Sequence, residues 1–249
     1  MADVINTCSR CGKQIGLSDT VRSDYSDYLN IDEHFCIDCY NKLQNHLAES
    51  ARSFVGIREF EMAARWMIKG LEAMGMNIDI GNFGGTPKRV GRAYYEIFAG
   101  CENTEGQVQN ILKTAFPCEG DAGMIVEGPI TTFSMCPHHL LPVEYQIFVA
   151  YIPKENQGVL GLSKLARLAE VYSKRPVLQE QLGKDIVAAL ASLDVDGAGC
   201  FIRGKHMCMR MRGIKKPESS TTTCALYGSF KEDTSTREEF YGIIDKLDK

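Results

Sequence analysis

The spacing of apolar positions divides the chain into helices, then strands, then a repeat of both. From about Ser53, the residues Phe54, Ile57, Met62, Trp66, Ile68 and Leu71 recur on one broad face, which predicts a helix. GNFGGTPKRV interrupts that period, and Thr86 as a cap with Pro87 in the first turn predicts a new helix. GMIVEGPITTFSM and PVEYQIFVAYIP then alternate as strands, the second with Val143, Tyr145, Ile147, Val149 and Tyr151 on one face.

The helical period returns at LGLSKLARLAEVYSKRP, with Ser163 as its cap and Leu165, Leu168, Ala169 and Tyr172 inward. A second helix follows Pro176, with Glu180 in its first turn and Leu182, Ile186 and Leu190 inward. In the next strand, alternation puts Cys200, Ile202, His206, Cys208 and Arg212 on one face, leaving Met207, Met209 and Met211 on a reverse face that reads as core. TTTCALYGSF is its expected partner, and a last helix capped near Ser235 or Thr236 buries Phe240, Ile243, Ile244 and Leu247. Helices and strands stand in an order compatible with an α+β fold.

Composition narrows the function classes. With 249 residues, 44% hydrophobic and 24% charged, the chain has material for one large domain or a medium domain with a small appendage. A net charge of −4 gives no general attraction to nucleic acid or an anionic membrane. No apolar run reaches the roughly 20 residues needed to span a bilayer, and MADVINTCSRCGKQ lacks a signal-peptide core, which predicts a cytoplasmic protein. Ten cysteines in a reducing compartment point to metal ligation rather than disulfides.

Cys8-x-x-Cys11 and Cys36-x-x-Cys39 form a four-thiolate pattern in residues 1–50, and the helical stretch after it suggests a treble-clef-like zinc module. His34 is an alternative to one thiolate. Bound zinc contributes about 10–16 kcal/mol at a structural site, which a segment with so few apolar residues needs. Its acidic residues, Asp19, Asp24, Asp27, Asp32, Glu33 and Asp38, argue against DNA and for a structural or protein-contact role.

A second concentration of ligand chemistry lies at FSMCPHHLLPV and GKHMCMRMRG. Cys136, His138, His139, His206 and Cys208 offer thiolates and imidazoles, and a catalytic zinc needs three protein ligands and an open position. Taken singly, a cysteine is also a small core residue and a histidine a satisfied polar group. Arg89 with Arg92, and Lys164 with Arg167, stand three apart on helices, fitting either a phosphate site or a solvated basic face. A carboxylate such as Glu180 in the first turn of a helix more often compensates the dipole than contacts a ligand.

TPKRV, CPHHLLPV, AYIPK, GLSKLAR, RPVLQEQL, HMCMRMRG, the Thr-rich strand and STREEF, in that order across about residues 55–249, resemble the GTP cyclohydrolase I family. The N-terminal zinc module lies outside the resemblance. The resemblance implies the α+β tunnelling fold, an antiparallel sheet with helices on one side, assembled as two pentameric rings in a decamer with sites between subunits. It implies Cys136, His139 and Cys208 as catalytic zinc ligands, His206 as the acid for purine N7, and His138 as a second catalytic histidine. Glu180 and Gln179 become the guanine-recognising pair, Ser163 lies near ribose and phosphates, and Lys164, Arg167 and Arg212 hold the triphosphate, joined by Arg89 and Arg92 of a neighbouring subunit.

The implied reaction is hydrolysis of GTP at C8, release of formate, ribose rearrangement and closure to 7,8-dihydroneopterin triphosphate. One departure stands out: Pro137 occupies the position where the family usually has Glu. It keeps open an enzyme of the same fold that stops at the ring-opened formamide or takes a related purine nucleotide. A non-catalytic nucleotide-binding scaffold, with closed structural zinc sites, is the reading from a different class.

Overall fold

The computed structural model describes residues 49–248 and, ahead of them, four short strands, with side chains described from residue 55. By its contacts the chain divides into two compact units, Met1–Tyr95 and Glu96–Lys249.

In the first unit, β1 (Val4–Thr7) pairs antiparallel with β2 (Gln14–Gly16), and β3 (Thr20–Arg22) with β4 (His34–Cys36). Cys8, Cys11 and Cys39, and the side chain of Cys36, lie outside the described residues, as does the predicted zinc module they would form. The expected helix from Ser53 is part of α1 (Glu49–Ala73), on which Ala64 is buried while Trp66, Met67 and Leu71 are exposed. A short α2 (Ile80–Phe83) is capped by Asp79, whose carboxylate accepts from Gly81 N at 2.8 Å. The helix predicted to restart at TPKRV is α3 (Thr86–Ile97). It crosses α1 closely at Gly91, where a Cβ would stand 2.7 Å from the Ile57 carbonyl oxygen.

The second unit is built on a four-stranded antiparallel sheet of strands β6 (Ile125–Met135), β7 (Pro142–Ile152), β9 (Gly197–His206) and β10 (Thr221–Gly228), in the order β10-β9-β7-β6. Before the sheet come α4 (Thr104–Leu112) and a small ribbon of β5 (Ala115–Phe116) with β8 (Val159–Leu160). Between β7 and β9 lie α5 (Ser163–Ser173) and α6 (Gln179–Ala191).

These two helices cover one face of the sheet. The predicted inward row of β7, Val143, Tyr145, Ile147, Val149 and Tyr151, packs there with Leu165, Leu168 and Ala169 of α5 and Leu182, Ile186 and Leu190 of α6. Burying each such leucine or isoleucine contributes about 1.5–3 kcal/mol, which explains why the helical period of these segments is so regular.

Helices do not lie on one side only. After β10, α8 (Ser229–Glu232) and α9 (Thr234–Leu247) bring Phe230, Phe240 and Ile244 against Phe148 and Ala150 on the opposite face. The residues between the predicted inward positions of β7 are themselves apolar there, so that half of the strand is buried on both faces and needs a second cover. Gly199 makes the close approach possible, since a Cβ there would come 2.9 Å from the Phe230 ring.

Several expected boundaries shift, among them Thr86, which is the first residue of α3 rather than its cap. The cap of α9 is Asp233, which accepts from Thr236 N at 2.8 Å, while the hydroxyls of Ser235 and Thr236 each donate to it at 2.6 Å. Ser163 is the first helical residue of α5 and makes no side-chain cap. The strand expected to run through Cys208 and Arg212 ends at His206, where the chain turns into α7 (Met207–Arg210). Cys208 and Arg212 therefore do not follow the strand's alternation, and Met211 is exposed rather than core.

Candidate metal centre and active site

The site forms at one end of the sheet, where β6 and β9 both stop. Met135 pairs with Pro142 at the turn between β6 and β7, and Val143 pairs with His206 across β7 and β9. The residues following Met135 and His206 are thus delivered to neighbouring points by strand register.

The turn after Met135 is tight. His139 N and Leu140 N both donate to the Cys136 carbonyl, at 3.3 and 2.8 Å, and Cys136 N donates to Leu141 O at 2.9 Å. Pro137 falls just after the first residue of this turn, where its fixed φ is favoured and no N–H is required. Leu140 closes it with φ 49°. Cys136 is buried, whereas Pro137, His138 and His139 are exposed.

Cys136 Sγ, one ring nitrogen of His139 and Cys208 Sγ all lie within 4.8 Å of one another. Cys136 Sγ is 3.8 Å from His139 Nδ1 and 3.7 Å from His138 Nδ1. Tetrahedral zinc with sulfur at about 2.3 Å and nitrogen at about 2.0–2.1 Å separates its ligands by comparable distances. Two thiols and an imidazole at this spacing are a donor set whose chemistry and separation fit a metal such as zinc. Burial raises the Cys208 thiol above its usual value, and neighbouring Cys136 adds to this, with Arg212 pulling the other way. Arg212 Nη1 donates to His139 Nε2 at 2.8 Å, on the imidazole edge turned away from Cys136.

His206 ends β9 half-buried, and its Nε2 lies 2.9 Å from Gln179 Oε1 at the start of α6. Burial lowers its pKa below the ordinary histidine value, opposed by the Glu180 carboxylate. The Tyr145 ring meets the imidazole edge-on at 5.9 Å. Its hydroxyl is buried with no hydrogen-bonding partner among the described residues. Desolvation, followed by Cys136, Glu180 and Cys208, pushes its pKa far up, so it stays a neutral phenol.

The remaining sequence-predicted residues are more dispersed. Glu180 is exposed in the first turn of α6. Ser163, Lys164 and Arg167 open α5, and Arg167 lines a cavity of about 240 Å³ with Gln107, Ile111, Glu170 and Lys174. Arg89 and Arg92 lie on α3 of the first unit, where Arg89 donates to Thr86 Oγ1 and Asn82 O at 2.9 and 3.1 Å. Sequence reasoning passed over Tyr145 as core, and Gly204 altogether. A Cβ at Gly204 would collide with Gln179 Oε1 and stand 2.9 Å from the Tyr145 ring.

A sheet end that converges two thiols and an imidazole, beside a second histidine held by a buried amide, defines a candidate metal-dependent enzyme of α+β class. The sequence profile described as GTP cyclohydrolase I matches residues 63–245. The "GTP cyclohydrolase 1" of Clostridium perfringens (strain 13 / Type A) is 41% identical over 175 residues, 70% of this chain and 91% of that protein. Its counterpart in Finegoldia magna is 44% identical over 160 residues (64% and 84%), and that of Corynebacterium glutamicum 40% over 191 (76% and 95%). The chain belongs to the GTP cyclohydrolase I family. Among solved structures, that of an archaeosine synthase QueF-Like in the apo form aligns with 42% of this chain and 93% of its own, at TM-score 0.34 and 18% identity.

Proposed function

We propose that this chain, an enzyme with GTP cyclohydrolase activity, opens the purine of GTP at C8 at the sheet end where Cys136, His139 and Cys208 meet, releases formate and closes 7,8-dihydroneopterin triphosphate. The observation that carries the reading is the convergence of those three donors within 4.8 Å at a sheet end that also carries His206. Zinc held by them would supply a water that ionises near pH 7, which a poor electrophile such as C8 requires.

The chain's own groups do the rest. His206, whose unperturbed type titrates near neutral pH, exchanges the proton at N7 as C8 is attacked. Exposed His138 beside Cys136 serves the later proton transfers near the ribose. Glu180 accepts from the guanine N1–H and amino group, a donor pair adenine lacks. Arg212, Lys164 and Arg167, with Ser163 near the ribose, hold the triphosphate, and a cluster of cations suits its several charges.

The same reading includes a decamer of two pentameric rings in which Arg89 and Arg92 reach a neighbouring subunit's site. It includes a four-cysteine zinc module in residues 1–50 ahead of a catalytic region in 51–249, and a cytoplasmic location. No helix among the described residues is long and apolar enough to cross a membrane.

Zinc-loaded protein incubated with GTP is expected to release formate and form a pterin chromophore, and His206→Ala to abolish both. Ring-opened product without pterin would refute closure, and bound zinc without any turnover would refute the enzyme mechanism.

A further inference from the structure

We propose that Gln179 is a positioning residue that anchors His206, and that it does not read the guanine. The proposal rests on the reading of His206 as the proton-exchanging group.

Gln179 is 3% exposed, and its carboxamide is spent inside the protein. Nε2 lies 3.1 Å from Ile202 O, 2.9 Å from Thr221 O and 3.1 Å from Thr223 Oγ1, while Oε1 faces His206 Nε2 at 2.9 Å. The amide has only one workable orientation. Flipped, its oxygen would face two backbone carbonyls that can only accept. With the NH2 group held by those carbonyls, Oε1 must point at His206, and a carbonyl oxygen can only accept. Nε2 is therefore the proton-bearing nitrogen, and Nδ1 is the one left for exchange with the substrate.

The surroundings are built for this contact. Gly204 pairs with Tyr145 across β7 and β9, and any side chain at 204 would displace Oε1. The Tyr145 ring, set at 77° to the imidazole with the ring centres 5.9 Å apart, packs against it as well. His206 is thus fixed by an amide and by an aromatic edge, at a strand end whose register is already set. A glutamine with both N–H groups engaged has no donor left for guanine O6, and its remaining lone pair is buried. Base reading falls to Glu180, the neighbouring exposed carboxylate.

The test is steady-state kinetics of the full-length zinc-loaded protein with GTP and with ATP, read by formate release. For Gln179→Met, nearly the same length, kcat should fall about 10–100-fold, part of what general acid–base catalysis supplies. KM for GTP and the preference for GTP over ATP should stay within about threefold. Gly204→Ala should give the same split without removing any polar group, and zinc content checks that both variants keep the site. Glu180→Gln should do the reverse, raising KM and relaxing the preference. Weakened GTP binding or relaxed base preference in Gln179→Met would overturn the proposal, and so would unchanged kinetics. His206→Ala separates two failures: full activity there would overturn the role given to His206, while lost activity there beside an unaffected Gln179→Met would overturn only the anchoring.

Discussion

Arg212 Nη1 stands 2.8 Å from His139 Nε2, so the guanidinium donates to an imidazole whose other nitrogen faces Cys136. An arginine always donates, so Nε2 is an acceptor in this arrangement. A neutral imidazole that gave Nδ1 to zinc would carry its proton on Nε2 and would have to release Arg212. Arg212→Ala is therefore expected to bind zinc at least as tightly as the parent in a chelator competition, while its KM for GTP rises about 10–100-fold through loss of a charged hydrogen bond. Weaker zinc binding in that variant would mean that Arg212 supports the metal site instead.

Cys208→Ala should remove one zinc per chain, measured by elemental analysis, and lower formate release by at least about 100-fold. Far-ultraviolet circular dichroism should be unchanged, because Cys208 sits on the four-residue α7 at the margin of the core and is only partly buried. A full zinc complement in this variant would refute Cys208 as a ligand.

Pro137→Glu restores the residue usual in the family at an exposed turn position. The turn's hydrogen bonds run from His139 N and Leu140 N to Cys136 O and do not involve residue 137. Zinc content should stay the same and kcat/KM should change by no more than about threefold, as for an exposed substitution that breaks no contact. A large gain in pterin yield would show that proline limits the later steps.

Asp233 accepts three hydrogen bonds at the start of α9, which holds its carboxyl well below the usual carboxylate range. Its folded pKa is depressed, so its contribution is fully present above the unfolded value of about 3.9 and fades as pH falls below it. Asp233→Ala should melt a few degrees below the parent at pH 7. That gap should hold down to about pH 5 and narrow below pH 4. A gap independent of pH would assign the loss to something other than the carboxylate.

Tyr145→Phe removes a hydroxyl that has no partner among the described residues, while keeping the ring edge against His206. No protein hydrogen bond is broken, so denaturant unfolding should show no loss, and a gain of up to about 1 kcal/mol. A clear loss of stability would reveal a partner for the hydroxyl.

How much of this was legible in the sequence depended on the range of the cause. Cys136, His139 and Cys208 were readable as candidates because ligand chemistry belongs to residue types, and the structure brings their donor atoms within 4.8 Å of one another; the inward rows of β7, α5 and α6 were readable because burial imposes a period. The end of β9 was not readable. HMCMRMR alternates as a strand would, and nothing local separates that from one helical turn. Its methionines looked like core for the same reason. The contacts of Gln179 were not readable either, since its partners Ile202, His206, Thr221 and Thr223 lie 23–44 residues away and meet it only once β9, β10 and α6 have packed. The second cover of the sheet was not readable because alternation along β7 marks only one inward row, while Phe148 and Ala150 between its members are buried as well.

The pairings Met135 with Pro142 and Val143 with His206 have a consequence for how this enzyme can fail. Moving β9 by one residue against β7 would turn every side chain of the strand to the other face. His206 would leave Gln179 and Tyr145 together, and the small hollow at Gly204 would be filled by Arg203 or Lys205. The sheet is thus its own assembly gauge: a chain that zips up one step out of place has neither this core nor an imidazole seated between Gln179 and Tyr145.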